Sequence, residues 1–329
     1  MRIVYLEPVR GAAFRSRLRA DTLWGALCWN VQTLYGDAAV EDFIAAYGAN
    51  SGPLHLSSAF PYCRTEEQLH HFLPSPLAEP RHEAVELSAD AHAIKQAVRE
   101  HKRAQKGNAW TTWEALSTGA DVPATLPRLR TDPLTHTLVD RSRLGTLTVN
   151  GNGQLYHTLE NRYRYGDKSA DQPTESGLYF FVRGDHPTFE PALRYLSVNG
   201  LGGDRSSGKG HFCYRIMQVD EPAGSSAADL NLALYYPAET GGAILGGHQE
   251  SDLLRYRLEA RRGRALGDGE LPLTGRLHFT EGSVFPTGAL PSPTPGRLLP
   301  MRRHPRGHTI YRYGYGFALP FQPTTHAPA

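Results

Sequence analysis

The segment TFEPALRYLSVNGLGGDRSSGKGHFCYRIMQV, residues 188–219, decides how the centre of this chain folds. Its first part has a proline at position 191, which suits the first turn of a helix, and predicts a helix over 188–198. Residues 211–219 alternate between apolar and polar side chains and predict a strand. Between them, residues 199–210 contain five glycines in twelve positions. The sequence therefore predicts a helix, a glycine-rich loop and a strand, in that order.

The glycine-rich loop has the composition of an anion-binding segment. Glycine lacks a Cβ atom, so the backbone N–H groups of such a loop can approach a phosphate closely. Arg205, Ser206, Ser207 and Lys209 add side-chain donors within the same loop. A long surface turn without a ligand is the alternative, because glycine is a common turn residue. The residue types favour contact with a phosphate backbone.

Two common phosphate-binding motifs do not fit this loop. A P-loop requires a serine or threonine after its Gly-Lys pair, and Gly210 occupies that position here. A P-loop also leads from a strand into a helix, whereas this loop leads from a predicted helix into a predicted strand. A dinucleotide-binding fingerprint requires a third glycine where Arg205 stands. The sequence therefore excludes both nucleotide-binding motifs.

The N-terminal sequence predicts further strands and helices around this segment. Residues 1–8 alternate in polarity and predict a first strand. The apolar residues of 22–35 cover most of a helical circumference, which predicts a buried helix with Asp21 as its N-cap. Residues 178–182 form a continuous apolar run, which is typical of a central strand. This order of strands and helices predicts an α+β fold.

Two basic segments lie between these elements. Five lysines and arginines of residues 94–106 fall on one face of a predicted helix, which is either solvated or faces phosphate. Residues 134–165 predict a β-ribbon with the turn Asn-Gly-Asn-Gly at 150–153. The ribbon carries Arg141 and Arg143 together with several tyrosines, and such residues can contact both the backbone and the bases of RNA. We expect the ribbon to be an insertion between core elements.

Composition limits the chemistry that the chain supports. The 35 lysines and arginines nearly balance the 33 acidic residues, so any site for a polyanion must be local. The three cysteines are isolated and the fifteen histidines show no metal-binding motif, so neither a metal nor another cofactor is predicted. No apolar run approaches the roughly 20 residues of a membrane span. A cytoplasmic location is the expectation.

Several motifs resemble those of the RAMP superfamily and, within it, the fourth subunits of the Csm complex of type III-A CRISPR systems. The most specific is RADTLWGALCW at 19–29 together with LSSAFPY at 56–62. The end of the glycine-rich loop, GKGHF at 208–212, is shared by many RAMP proteins. Further similar stretches are FLPSP at 72–76, LVDR at 138–141, SGLY at 176–179 and YRYGYGF at 311–317. These motifs span almost the whole chain in the expected order.

The resemblance implies a fold and a role. It implies two ferredoxin-like (RRM-type) domains, the first over residues 1–184 with the basic helix and the ribbon, and the second over 185–329. The glycine-rich loop at 199–210 would lie at their junction. The implied role is non-catalytic: the subunit binds the 5′ handle of CRISPR RNA (crRNA) and caps the foot of the interference complex in antiviral defence. The implied partners are this crRNA, the large cyclase/polymerase-type subunit and the backbone RAMP subunit.

The predicted RNA contacts form three groups. The first is an arginine turn in front of the first helix, where Arg15, Arg17 and Arg19 alternate and so project on one side of an extended chain. The second is the ribbon, with Arg141 and Arg143. The third is the loop, with Gly200, Gly202, Gly203, Arg205, Ser206, Ser207, Gly208, Lys209 and His211. Because the helix N-terminus beside the first group also favours anions, the sequence predicts a clamp on the RNA backbone.

Two other functions are alternatives at this level. A RAMP-type endoribonuclease would process CRISPR RNA by acid-base catalysis with histidine, and His136, His157 and His211 lie near the predicted RNA elements. Their spacing does not force any pair together, so no catalytic residue is assigned. A subunit that binds only protein would assemble without dependence on salt, whereas phosphate neutralisation makes affinity fall as salt rises.

Overall fold

A computed structural model describes residues 1–9, 14, 17–48, 52–64, 68–77, 92, 94–96, 109–118, 130–132, 137–140, 155–158, 162–164, 175–203, 205, 208–221, 226–237, 251–265, 271–290, 296–304 and 307–322. Four helices of six or more residues lie in these segments: α1 (Ala20–Tyr35), α2 (Asp37–Ala45), α3 (Trp113–Thr118) and α4 (Phe189–Asn199). The strands of the same segments are β1 (Arg2–Pro8), β2 (Leu54–Leu56), β3 (Phe60–Arg64), β4 (Leu69–Pro74), β5 (Trp110–Thr112), β6 (Arg130–Asp132), β7 (Thr137–Asp140), β8 (Leu155–Thr158), β9 (Arg162–Arg164), β10 (Glu175–Gly184), β11 (Phe212–Gln218), β12 (Ala228–Asn231), β13 (Leu258–Ala265), β14 (Leu271–Phe279), β15 (Val284–Pro286), β16 (Leu298–Arg303), β17 (Thr309–Tyr313) and β18 (Ala318–Phe321).

The largest sheet has seven strands in the order β11-β1-β10-β3-β4-β5, with β2 beside β10. Strand β1 pairs antiparallel with both of its neighbours, so Tyr5 lies opposite Tyr179 on one side and Arg215 on the other. The apolar residues of β1 and β10 are buried on both faces of the sheet, which explains the continuous apolar run of β10. The strands predicted at 1–8 and 178–182 are confirmed, and both are central.

Elements on both sides of residue 184, the predicted domain boundary, belong to this sheet or pack on it. Strand β11 and helix α4 follow that residue in the chain, yet β11 pairs with β1 over its whole length. Leu27 of α1 and Leu196 of α4 pack together over one face of the sheet. Asn30 of α1 donates a hydrogen bond to the carbonyl oxygen of Ala192 in α4 (3.1 Å). Helix α4 and strand β11 confirm the helix and the strand predicted on either side of the glycine-rich loop.

The opposite face of the sheet carries aromatic side chains that the rest of the chain covers. Tyr179 and Phe181 of β10 are fully buried. The Phe181 ring stacks on that of Phe317 at a centroid distance of 5.8 Å and contacts that of Trp113 at 4.9 Å. These rings form a core, so they are not exposed for stacking on bases. Phe317 thus belongs to the hydrophobic core.

The C-terminal part of the chain consists of a small sheet and two hairpins. Strands β15, β12 and β18 form the sheet, and β13–β14 and β16–β17 form the antiparallel hairpins. The Tyr313 hydroxyl accepts a hydrogen bond from the Leu56 N–H group (3.0 Å), which joins this part to the main sheet. Strand β7 pairs with β8 and β6 with β9, as expected for the predicted ribbon. The turn predicted at 150–153 and most of the basic helix predicted at 94–106 lie outside the described residues.

The N-terminus of α1 is capped by a residue distant in sequence. The prediction that Asp21 caps this helix is wrong, because the helix begins at Ala20 and its N-cap residue is Arg19, which makes no side-chain hydrogen bond as a cap. The Ala20 N–H group donates instead to the Ser58 hydroxyl (3.1 Å). Asp21 lies in the first turn and accepts hydrogen bonds from the Arg261 guanidinium (2.8 and 3.2 Å). A residue that the fold brings close thus replaces the local cap.

Arg19 is held by carboxylates from the C-terminal part of the chain. Its guanidinium donates to both oxygens of Glu259 (2.6 and 2.9 Å) and lies 3.3 Å from a Glu281 oxygen. The hydrogen bond from Arg19 lowers the pKa of Glu259 below its ordinary value. Ser58 donates a further hydrogen bond to Glu281 (2.5 Å), whose side chain is 4% exposed. We call these four residues the Arg19 cluster, and it fixes the start of α1 against β13 and the turn after β14.

We expect the Ser58→Ala substitution to lower the free energy of unfolding by about 1–3 kcal/mol, because it removes the cap of α1 and one donor to the buried Glu281 carboxylate. Urea unfolding followed by circular dichroism measures the effect. The matched control is Ser197→Ala, because the Ser197 hydroxyl bonds the Arg194 carbonyl oxygen of its own helix (2.8 Å). The control should change the free energy by less than about 0.5 kcal/mol. An equal loss in both variants would contradict the capping role.

Candidate nucleic-acid interface

The two ends of the glycine-rich loop are held together by a backbone hydrogen bond. The Leu201 N–H group donates to the Gly210 carbonyl oxygen (2.9 Å). Gly200 and Gly210 have φ angles of 80° and 72°, in the left-handed region that favours glycine. A Cβ atom on Gly210 would overlap the Leu201 carbonyl oxygen. The chain therefore leaves α4 and enters β11 through a narrow neck, which we define as residues Gly200, Leu201 and Gly210.

Several backbone N–H groups of the loop have no hydrogen-bond partner within the described part of the chain, and two of them lie side by side. They belong to Gly202 and Gly203, which are partly exposed. The Gly208 N–H group, in contrast, donates to the Arg205 carbonyl oxygen (3.0 Å). The His211 ring lies beside the same carbonyl, with Nε2 3.4 Å from the oxygen. As far as the described residues show, the N–H groups of the two glycines are available as donors, which an anion-binding loop requires.

The arginine turn in front of α1 begins beside this loop. The Val9 N–H group donates to the His211 carbonyl oxygen (3.1 Å), and the Phe14 ring lies 6.4 Å from the Phe212 ring. Arg17 is exposed in the same turn. The β1–β11 pairing thus brings two predicted RNA-binding segments, which are far apart in sequence, to one edge of the sheet.

Arg19 does not share the environment of Arg17. It is 7% exposed, and Glu259 and Glu281 already balance its charge. Glu259 lies 240 positions further along the chain, so no local sequence pattern identifies it as a partner. The Arg19 guanidinium therefore stabilises the fold. Contact with a phosphate would require it to leave both carboxylates.

The other predicted RNA contacts divide into two groups. Gly200, Gly202, Gly203, Arg205, Gly208, Lys209 and His211 lie together in the loop and at its exit into β11. Arg15, Arg141, Arg143, Ser206 and Ser207 lie outside the described residues. The loop group is therefore located in one place, where Gly200 is buried in the neck and the other six residues are at least partly exposed. The contacts of the ribbon stay a prediction.

Two arginines near the loop have no counterpart in the sequence prediction. Arg194 lies on α4 with a side chain 74% exposed, and its Nε atom is 3.5 Å from the Tyr214 hydroxyl on β11. The Arg215 guanidinium lies over the Tyr5 ring, 4.6 Å from its centroid. Arg194 precedes the loop by less than two helical turns, and this spacing is the signal that could have identified it.

The described residues offer hydrogen-bond donors and positive charge rather than a metal site. Within the described ranges, no group of three or more histidine, cysteine, aspartate and glutamate residues could hold a metal ion. None of the described helices is long and apolar enough to cross a membrane. Of the three candidate acid-base residues, only His211 is located, since His136 and the side chain of His157 lie outside the described parts.

We expect Gly210→Ala to open the neck, because the added methyl group would overlap the Leu201 carbonyl oxygen. The free energy of unfolding should fall by roughly 2–4 kcal/mol, and trypsin should cut faster after Arg205 and Lys209 in timed digests followed by mass spectrometry. Gly208→Ala is the matched control, since Gly208 also has a positive φ of 85° but a Cβ atom there meets nothing within 4 Å. Equal digestion of the two variants would refute this role of the neck.

A curated protein is similar to this chain over most of its length, whereas no protein-family model matches it. That protein is the CRISPR system Cms protein Csm4 of Thermococcus onnurineus (strain NA1). The two sequences are 28% identical over 315 residues, which cover 93% of this chain and 92% of the relative. The match therefore extends over most of both sequences.

Solved structures share the fold. A chain of the Csm1-Csm4 cassette in complex with cA4 matches with a TM-score of 0.54 and 23% identity, over 98% of both chains. A chain of the Csm3-Csm4 subcomplex in the type III-A CRISPR-Cas interference complex matches with a TM-score of 0.53 and 16% identity, over 98% of this chain and 100% of that chain. The resemblance that the motifs indicated is confirmed. The chain is similar to a Csm4 protein over almost its whole length.

Proposed function

We propose that this chain is a non-catalytic subunit of a type III-A CRISPR interference (Csm) complex that binds the 5′ handle of crRNA. The observation that carries the proposal is the loop at 199–210, where the N–H groups of Gly202 and Gly203 have no partner among the described residues. Arg205 and Lys209 place positive charge in the same loop. Free amides and cations bind phosphates without reading bases, which suits the positioning of an RNA backbone.

The charges around the loop support this assignment. Arg17 and Arg194 are exposed, one in the turn beside the loop and one on the helix that leads into it. Together with Arg205 and Lys209 they place four basic side chains on the turn, the loop and the helix before the loop, in a chain whose net charge is only +2. A local basic region on a nearly neutral protein binds RNA at one site, without non-specific binding over the rest of the protein surface.

Protein neighbours are the second part of the proposal. Relatives of this chain occur in a Csm1-Csm4 cassette and in a Csm3-Csm4 subcomplex. We infer that this chain likewise contacts a large cyclase/polymerase-type subunit and a backbone RAMP subunit, and that it caps the foot of the complex in antiviral defence. The match over almost the whole length supports an equivalent place in the assembly.

The runner-up function, a RAMP-type endoribonuclease, has less support. General acid-base cleavage needs a base and a proton donor within reach of one ribose. His211 lies at the exit of the loop with its ring against the Arg205 carbonyl oxygen (3.4 Å), where it supports the loop conformation. His136 and the side chain of His157 lie outside the described residues, so the described part of the chain offers no second acid-base group to pair with His211. Binding therefore explains the loop better than catalysis does.

We also propose that the main sheet belongs to a ferredoxin-like unit. The strand order β11-β1-β10-β3, with α1 and α4 over one face, follows the β-α-β-β-α-β pattern of that fold. In this proposal the first unit extends to Gln218, beyond the boundary at residue 184 that the sequence resemblance implied, and the second begins with β12. The glycine-rich loop then lies between the last helix and the last strand of the first unit.

If the glycine-rich loop binds RNA, reversing the charges of the loop should weaken the affinity of the chain for RNA. Arg205→Glu/Lys209→Glu should bind a synthetic RNA of the repeat-derived 5′ handle at least about tenfold more weakly, because two phosphate contacts become repulsive. The slope of log affinity against log salt should become shallower by roughly 1–2. Fluorescence anisotropy at several salt concentrations measures both quantities.

The control for this experiment reverses two exposed arginines outside the loop, Arg257→Glu/Arg262→Glu. It carries the same change in net charge, so it should weaken binding much less if the loop is the site. Equal losses in both double variants would show that only overall charge matters. Unchanged affinity and unchanged assembly of the Csm complex in the loop variant would refute the loop assignment.

Incubation with repeat RNA distinguishes the two functions. We expect the purified chain to leave the RNA intact, because it binds without acid-base catalysis. Denaturing gel electrophoresis of end-labelled RNA, over a time course with and without the other subunits, is the measurement. Specific cleavage that disappears in His211→Ala but persists in Arg262→Ala would establish the endoribonuclease instead.

A further inference from the structure

Strand β11 forms one edge of the main sheet, and no other described strand covers its outer side. Among the named strands it pairs only with β1, and its register runs without a bulge from Phe212 opposite Pro8 to Gln218 opposite Arg2. The pairing leaves half of its backbone groups pointing away from the sheet, because hydrogen-bonded and non-hydrogen-bonded pairs alternate in an antiparallel ladder.

The register identifies which groups point outward. The flanking pairs Val9–His211 and Met1–Val219 are hydrogen-bonded, with N–H···O distances of 3.1 and 2.9 Å. The odd-numbered residues of β11 therefore bond to β1, and the even-numbered residues direct their N–H and C=O groups to the free side. These are Phe212, Tyr214, Ile216 and Gln218. Within the described part of the chain, their outward backbone groups have no hydrogen-bond partner.

Apart from the charge of Arg215, this edge lacks the features by which proteins protect exposed strands. Short strands, prolines, bulges and lysines usually prevent pairing with another chain. The sequence of β11, FCYRIMQ, has neither proline nor lysine and runs for seven residues. At the other end of the same sheet, β5 has only three residues. The side chains of Cys213, Arg215 and Met217 are exposed, so the edge is accessible from solvent.

We propose that the free edge of β11 accepts an extended segment of a neighbouring protein subunit as an additional strand of the main sheet. Its outward donors and acceptors repeat every two residues, about 6.8 Å, and only an extended polypeptide has complementary groups at that spacing. An RNA strand offers phosphate acceptors and 2′-hydroxyl donors, but its anionic phosphates repel the carbonyl oxygens that lie between the N–H groups. The occupant is therefore a protein strand, with apolar residues that face Met217 and the partly exposed Ile216.

The β11 edge lies beside the glycine-rich loop, and this position gives a strand bound there a role in the complex. The neck at Gly210 and the start of β11 at Phe212 are two residues apart, so a strand bound to β11 would lie next to the RNA held by the loop. The identity of the occupant as a Csm subunit depends on the proposed function, whereas the presence of an acceptor edge depends only on the β1–β11 register. A neighbouring subunit on this edge would fix the RNA grip relative to the rest of the complex.

Residue-resolved hydrogen exchange tests the proposal without a substitution. We expect the amides of Tyr214, Ile216 and Gln218 to exchange rapidly in the free chain and those of Cys213, Arg215 and Met217 slowly, because only the odd residues bond to β1. In a complex with the backbone RAMP subunit or the large subunit encoded with this chain, the even-numbered amides should slow at least about tenfold. Exchange is measured separately for each subunit, and with handle RNA alone.

A pair of substitutions at one position removes a single outward N–H group. Tyr214→Pro should weaken binding of the protecting subunit by about tenfold, because proline cannot donate to the added strand. Tyr214→Thr is the matched control: it loses the same ring and its contact with Arg194 but retains the N–H group, so it should bind nearly as wild type. Thermal unfolding shows whether both variants keep their fold.

The outcomes separate this proposal from the proposed function. A complex that forms while the even-numbered amides exchange as in the free chain overturns the acceptor edge and leaves the function intact. Protection by handle RNA alone, or by self-association of this chain, also overturns it. Protection by a subunit together with a specific loss in Tyr214→Pro supports the edge, even if loop variants bind RNA normally and the RNA grip is elsewhere.

Discussion

The pairing of β1 with both β10 and β11 is the constraint on which the rest of the structure depends. This strand has seven residues, and its two ladders join the N-terminus to residues beyond 175 and beyond 210. Because the β11 ladder continues to Val9 and His211, the arginine turn starts beside the glycine-rich loop. The proposed RNA grip is thus assembled by a strand whose own side chains are mostly buried.

Charge in this protein is divided between the fold and the surface. Arg19 and the half-buried Arg261 are bound to carboxylates, and burial lowers the pKa of Arg312, whose guanidinium donates to the Arg261 carbonyl oxygen (2.6 Å). These buried or partly buried cations stabilise the contact between α1 and the hairpin β13–β14. The exposed cations near the loop are the ones that can attract a polyanion. A nearly neutral composition is therefore compatible with a local RNA site.

The burial of aromatic rings determines how the chain contacts RNA in the proposed role. Sheets of RRM type often stack bases on exposed rings of the sheet surface. In this chain Phe317 and Trp113 cover the Phe181 ring, so the chain itself buries this ring of the sheet. In the proposed role, the backbone amides of the loop and basic side chains would then contact the RNA. Such contacts hold the sugar-phosphate chain and do not depend on base identity, which agrees with a subunit that positions RNA.

The sequence by itself determined the local elements: the strand at 1–8, the long apolar helix, the central strand at 178–182 and the helix and strand on either side of the loop. It also determined the resemblance to RAMP proteins, because each motif is a short run of consecutive residues that can be recognised without knowledge of the fold. Only the tertiary structure decided that Ser58 caps α1, that Glu259 neutralises Arg19 and that β11 lies at an open edge of the sheet. Periodicity and capping preferences act over a few residues, whereas these contacts join positions up to 240 apart, and packing of the whole chain selects them.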